Sequence, residues 1–145
     1  MEEKQAELRR LTSEIELIQS QINTHNQNLE LLTLSLNETR QTLETLEEIK
    51  GVAPGTELLI PVGSGSFVRS SITENDRVII GIGAGFSMEK NIDEAKAIVD
   101  KRADQLDSAI KQTTERVQEL SKRLEELTPK WQRLYQELSQ SEGQP

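Results

Sequence analysis

Apolar residues recur every three or four positions along two stretches of this chain, and that spacing constrains the fold more than any other feature. In the first stretch Leu8, Leu11, Ile15, Ile18, Ile22, His25, Leu29, Leu32, Leu36, Thr39, Leu43 and Leu46 follow it without a break. In the second, Ile92 and Ala95 lead into Val99, Ala103, Leu106, Ile110, Thr113, Val117, Leu120, Leu124, Leu127, Trp131, Leu134 and Leu138, with one stutter from Ala95 to Ala103. Each is a coiled-coil seam. At about 1.5 Å per residue, a helix from Leu8 to Leu46 runs roughly 57 Å, far beyond the usual three or four turns of a globular helix. Such a helix needs a partner along its whole stripe.

That partner is either another chain, in two separate parallel coiled coils, or the second stretch of the same chain. In an antiparallel pair, facing residue numbers have a constant sum. A sum of 142 sets Leu8 against Leu134, Leu11 against Trp131, Ile15 against Leu127, Ile22 against Leu120 and Leu43 against Val99. It also sets Gly51 against Asn91, so an intrachain hairpin closes without slack. A shift by one heptad, to 149, aligns the seams too but faces Lys50 with Val99, whereas 142 faces Leu46 with Lys96. The intrachain pairing at 142 is the favoured reading.

The composition changes at the ends of both stretches. All the glycines but Gly143 lie between Gly51 and Asn91, where β-branched residues also concentrate. Three parts follow: a helix over residues 1–50, a strand-rich middle over 51–91 and a second helix over 92–145. The middle reads as four strands, Glu57–Val62, Ser66–Thr73, Arg77–Gly83 and Phe86–Lys90, in two hairpins. Gly63, Ser64 and Gly65 make the first reversal, Ala84 and Gly85 the second, and Glu74 to Asp76 link the hairpins. Alternation places Leu58, Ile60 and Val62 on one stripe and Val78, Ile80 and Ile82 on another. Four strands with so few large residues cannot bury both faces alone, and no lysine cluster guards their edges. Assembly through Leu58, Ile60, Val62, Phe67, Val68, Val78, Ile80, Ile82 and Phe86 is therefore expected. The fold class is α+β: a long antiparallel two-helix coiled coil with two central β-hairpins through which the chain is expected to assemble.

Composition narrows the function. With 17 basic and 25 acidic residues the formal charge is -8, so the electrostatic footprint for nucleic acid or an anionic membrane surface is missing. Without cysteine and with a single histidine, the chain offers neither thiol chemistry nor a cysteine or multi-histidine metal cage, and no cofactor is expected. No apolar run reaches the roughly eighteen residues of a membrane span, and no signal peptide is visible, which points to the cytoplasm. The run Gly81 to Gly85 (GIGAG) departs from a dinucleotide loop because Phe86 stands where its last glycine belongs. His25 sits in the seam as a polar residue that sets register, and Asn37-Glu38-Thr39 is a chance glycosylation triplet in mid-helix. A narrow two-helix rod encloses no pocket for a nucleophile or an acid–base pair, so an enzyme is not expected.

The middle segment with its flanks resembles the alpha subunit of prefoldin, the co-chaperone family also called GimC. That family carries an "LLxPVGxGxFV" stretch and a "VIVGVGAGxxxEK" stretch before an acidic, alanine-bearing helix start. They stand here as Leu58 to Val68, Val78 to Lys90 and Ile92 to Ala97, with Ile80 and Ile82 where the family writes valine. Two hairpins mark the alpha class, and the lack of cysteine and of a long extra tail suits the archaeal type. The resemblance implies a hexamer of two alpha and four beta subunits, whose hairpins build a double barrel from which coiled coils hang. Their tips would hold unfolded client proteins and pass them to a group II chaperonin without ATP. In the 142 register the tip comprises Leu8, Leu11, Ile15, Trp131, Leu134, Tyr135 and Leu138, with outermost members uncovered and Pro129 loosening the last turns. Glu2, Glu3, Glu7, Glu137 and Glu142 beside it would keep free tips soluble. A structural coiled-coil tether needs the same heptads but has no use for edge-rich hairpins.

Overall fold

Long helical stretches with Pro129 as their one internal breaker, each with an apolar seam along its length, fold as single helices, and the hairpin signals between them fold as strands. The computed structural model describes residues 1–142. The order is α1 (Glu2–Lys50), β1 (Glu57–Gly63), β2 (Ser66–Ser71), β3 (Arg77–Gly83), β4 (Phe86–Asn91) and α2 (Ile92–Glu142). The chain divides into two units, one formed by Met1–Leu34 with the chain from Ser108 onward, the other by Ser35–Asp107.

In the chain-end unit the core is Leu11, Ile18, Leu120 and Leu127, with Ile15, Ile22, Leu124, Trp131 and Leu134 packed against it. Polar contacts between the helices fix the register. The Trp131 indole N–H donates to the Thr12 hydroxyl at 2.7 Å, Lys4 pairs with Glu137 at 3.3 Å, and Arg123 pairs with Glu14 at 3.0 Å. Their residue numbers sum to 143, 141 and 137, each nearer 142 than 149. Helix α2 runs through Pro129 without interruption. Leu134 beyond it packs on the core and Leu138 is buried, so the helix stays continuous and packed past Pro129. The reason is position: Pro129 and Glu125 lie on the exposed side, where a carbonyl that loses its N–H partner is left to solvent.

In the hairpin unit the same register continues, with Lys50 to Asp93 at 2.8 Å and Lys96 bonded to Glu47. The last carbonyls of a helix lack partners within it. Here the amide of Asn75, from the link between hairpins, donates to the carbonyls of Lys50 and Val52 at 3.3 and 2.8 Å. At the other helix the Asn91 side-chain oxygen accepts the Glu94 N–H at 2.8 Å, an N-cap with Asp93 and Glu94 in the first turn.

Both hairpins are antiparallel and turn in the same way. Gly63 pairs with Ser66 around Ser64-Gly65, and Gly83 pairs with Phe86 around Ala84-Gly85. The central residues all have positive φ, 50° and 72° in the first turn and 51° and 79° in the second, the signature that matches right-handed strand twist. A bulge precedes each turn, between Pro61 and Gly63 and between Gly81 and Gly83. Strand β2 stops two residues short of the expected Thr73. Ile72 turns inward and is buried, exchanging backbone bonds with Gly55 and Thr56.

Candidate assembly and capture surfaces

Strand alternation decides what each hairpin can offer. In β3–β4, Val78 and Ile80 lie on the face toward the helices, and Ile80 joins Leu46, Ile92, Ala95 and Val99 in a buried cluster against which Val78 also packs. Ala95 is fully buried, its small side chain letting the strand come close. The Arg102 guanidinium donates to the Gly81 carbonyl and ties the hairpin to α2. Val78 and Ile80 therefore correct the expected assembly set: they hold the hairpin to its own helices and are not open to another subunit. The opposite face carries Ile79, 79% exposed, which the sequence reading passed over because it followed one parity only. Ile82, Phe86 and Met88 are also exposed.

Hairpin β1–β2 has no cover on either face. Leu58, Ile60, Val62 and Val68 are exposed on one side, and Leu59 and Phe67 on the other. Its cross-strand ion pair, Arg69 to Glu57 at 3.4 Å, is fully solvated and worth at most tenths of a kcal/mol. A lone two-stranded hairpin is marginal in water. The missed residue Leu59 was legible: in Leu58 to Val62 apolar residues occupy both parities, the mark of a strand covered on both sides.

The expected tip residues do come together in the chain-end unit, but unevenly. Leu11 and Leu138 are buried, and Leu8, Ile15, Trp131 and Leu134 are partly buried. Leu11 and Leu138 thus belong to the seam, a correction to the picture of uncovered outer members. Tyr135 is the open one at 51% exposure, and its ring stacks on Trp131 with centroids 5.1 Å apart and planes 9° from parallel. With the indole N–H satisfied by Thr12, this aromatic pair presents ring carbon and the Tyr135 hydroxyl. Beside it runs an open groove of about 240 Å³ between Thr12, Ile15, Glu16, Gln19, Thr128 and Trp131. Across the coil the surface is charged, lined by Glu7, Lys130, Arg133 and Glu137. There the Arg10 guanidinium, bonded to Glu7 at 2.6 Å, holds the Glu7 carboxyl below the usual carboxylate range. Among the described residues no three His, Cys, Asp or Glu side chains gather to hold a metal ion, and no helix is long and apolar enough to cross a membrane.

The sequence profile of the prefoldin family, described as Prefoldin subunit, matches residues 18–137. The chain belongs to the prefoldin family. Among similar prefoldins, the "Prefoldin subunit alpha" of Pyrococcus horikoshii is 38% identical over 114 residues, covering 78% of this chain and 77% of its own. That of Thermococcus onnurineus is 41% identical over 103 residues, 70% of each chain. That of Methanopyrus kandleri is 39% identical over 108 residues, 74% of this chain and 69% of its own. The fold matches a chain of the filamentous PFD from Methanocaldococcus jannaschii with a TM-score of 0.73 at 24% identity, covering 82% of this chain and 98% of that one. Two hairpins and these relatives set the chain in the alpha class of prefoldin. Membership makes it a chaperone-type subunit that assembles with other prefoldin subunits.

Proposed function

We propose that this chain is the alpha subunit of an ATP-independent holdase, joined to beta-type subunits as a hexamer of two alpha and four beta chains in the cytoplasm. The hairpins form the assembly platform through Leu58, Leu59, Ile60, Val62, Phe67, Val68, Ile79, Ile82 and Phe86. The chain-end unit captures non-native polypeptides at Trp131 and Tyr135, with Leu8, Ile15 and Leu134 beneath them, for delivery to a group II chaperonin. The observation that carries the capture role is the half-open aromatic stack beside a groove whose exposed surface is mostly apolar though Glu16 and Gln19 border it. It offers apolar surface and no chemistry, which suits holding a chain and not transforming it. Neither nucleic acid, membrane nor catalysis enters this reading.

Energetics favour several such sites acting together. Burying one large side chain fully contributes only about 1.5 to 3 kcal/mol, so one tip binds weakly. Six linked tips raise the effective concentration and hold a client while each contact stays easily released. The test is suppression of aggregation of a chemically denatured protein by the chain mixed with a beta-type subunit, without nucleotide. Suppression by the complex and not by either subunit alone is expected; a complex that forms at the hexamer mass yet leaves aggregation unchanged would refute the holding role.

A further inference from the structure

Three leucines of the chain-end unit lie off the seam. With Ile15 and Leu29 at equivalent seam positions, Leu17 and Leu31 fall two residues later in the heptad and Leu34 three beyond Leu31, on the side turned away from α2. They are 59%, 64% and 57% exposed. The stretch that carries them is also unusual in charge. From Leu17 to Leu34, Glu30 is the sole carboxylate and there is no Lys or Arg. Helix α2 in the same unit is dense in charge, with Lys111, Glu115, Arg116, Glu119, Lys122 and Arg123. Between the leucines the exposed residues are Gln19, Ser20, Asn23, Thr24, Asn26, Gln27, Asn28, Glu30 and Thr33, all able to donate or accept hydrogen bonds and all uncharged but Glu30.

Area and charge decide what this stripe can hold. Three leucines a little over half exposed offer roughly 200 Å² of apolar surface, about a quarter of the ~800 Å² that each side of a stable protein interface contributes. A lasting contact with a second folded chain is too large for it. With Glu30 its sole charge, the stretch has little of the steering and register that select one folded partner. What remains is apolar contact plus uncharged donors and acceptors, which suits a peptide backbone with apolar side chains of any order. Leu17 to Leu34 spans about 25 Å along the helix, the reach of about eight extended residues.

We infer that the outward stripe of Leu17, Leu31 and Leu34 on α1 is a second capture surface, occupied by an extended segment of about eight residues of a non-native polypeptide. The inference rests on the holding role proposed above and adds a site apart from Trp131 and Tyr135. It is weak alone and acts by adding to the tip contacts on the same client.

The test uses the full chain assembled with a beta-type subunit and, as the probe, reduced and carboxymethylated lactalbumin, which stays unfolded. Leu31→Gln with Leu34→Gln keeps helix propensity nearly unchanged. A three- to tenfold rise in the Kd for lactalbumin at unchanged assembly mass is expected. A photo-crosslinking residue at position 34 is expected to label the client, and one at Glu119 on the charged face of α2 is not. Affinity within twofold of the parent complex, with no more labelling from position 34 than from 119, overturns the second surface while parent binding leaves the tip reading standing. A changed assembly mass overturns it as well, since the stripe is then a subunit contact. Failure of the parent complex to bind lactalbumin removes both readings together.

Discussion

Replacing two neighbouring isoleucines of β3 by alanine separates what holds the subunit together from what it offers to others. Ile80 is 8% exposed and packs with Leu46, Ala95 and Val99, whereas Ile79 next to it is 79% exposed on the opposite face. An isoleucine-to-alanine change in a core costs about 2–5 kcal/mol, the range reflecting how far the site can collapse. A two-stranded hairpin resting on two helices can settle inward, so Ile80→Ala falls in the lower part, about 2–3 kcal/mol. Ile79→Ala in the isolated chain should stay within about 0.5 kcal/mol, as for other exposed positions. Since about 1.4 kcal/mol is a factor of ten, amide exchange of the β3–β4 ladder should accelerate roughly 30- to 150-fold for Ile80→Ala and about twofold for Ile79→Ala. Hydrogen exchange resolved to Arg77–Asn91 measures this in the unassembled chain. In mixtures with a beta-type subunit the order should reverse for the affinity of the folded forms, with Ile79→Ala the more damaging. Equal acceleration by both substitutions, or less than about fivefold for Ile80→Ala, would show that β3 does not dock through this face.

Asn75→Ala should destabilise the isolated chain by about 1–2 kcal/mol in urea unfolding, because it removes the donors to the Lys50 and Val52 carbonyls at the end of α1; a loss under about 0.3 kcal/mol would mean that water replaces the amide at no cost. Tyr135→Ser should leave assembly mass unchanged and cost no more than about 1.5 kcal/mol through the lost stack, yet weaken client holding several-fold; parent-level holding would remove Tyr135 from the capture surface. For pH, the ammonium groups of Lys50 and Lys96 hold the Asp93 and Glu47 carboxyls below their usual range, and Asp93 raises Lys50. A depressed carboxyl adds stability that is whole above the ordinary carboxylate range and lost as pH falls through its folded value, and the raised lysine adds stability lost only above the ordinary lysine range. The unfolding midpoint should therefore be flat from about pH 6 to 9 and decline below about pH 4, by a small amount that salt erases because both carboxyls and Lys50 are exposed; a midpoint that rises on acidification would contradict the sign.

Periodicity carries long-range information only when two patterns must fit each other, and this sequence contains such a pair. The seams through Leu11 and Leu127 fix the antiparallel register, and the Gly-Ser-Gly and Gly-Ala-Gly turns fix the hairpins, because each is a local preference repeated or confirmed elsewhere in the chain. Alternation, by contrast, groups Val78 with Ile80 but does not say which side of the sheet meets the helices. That choice is made by Ala95, whose missing bulk admits β3, and by Arg102 reaching the Gly81 carbonyl. Both lie in the second helix and look like ordinary seam and surface residues. Asn75 is equally silent, one turn-favouring residue among several, until folding brings the end of α1 beside it. The cost of Pro129 depends on whether the freed carbonyl faces solvent, which the seam spacing could have indicated. Leu17, Leu31 and Leu34 were legible as exceptions, being apolar where the heptad expects polar groups.

The two hairpins share a turn and a bulge yet differ in what secures them, and this difference bears on how a subunit of this kind can wait for partners. Hairpin β3–β4 draws its stability from its own chain, since Val78 and Ile80 are covered by α1 and α2. Hairpin β1–β2 has only its ladder, its turn and one solvated ion pair, none of which replaces burial of Leu59, Val62 and Phe67. Its conformational entropy must be offset by apolar surface from elsewhere, at about 25 cal/mol per Å². The chain cannot supply that surface, because every large side chain of the adjoining core is already used on β3–β4 or on the seam. In the assembly proposed above, a neighbouring subunit would do two things at once: cover the exposed strands and complete the folding of the segment it binds. Affinity for partners and order in β1–β2 become one equilibrium, while the helices and β3–β4 keep their form whether or not the partner is present.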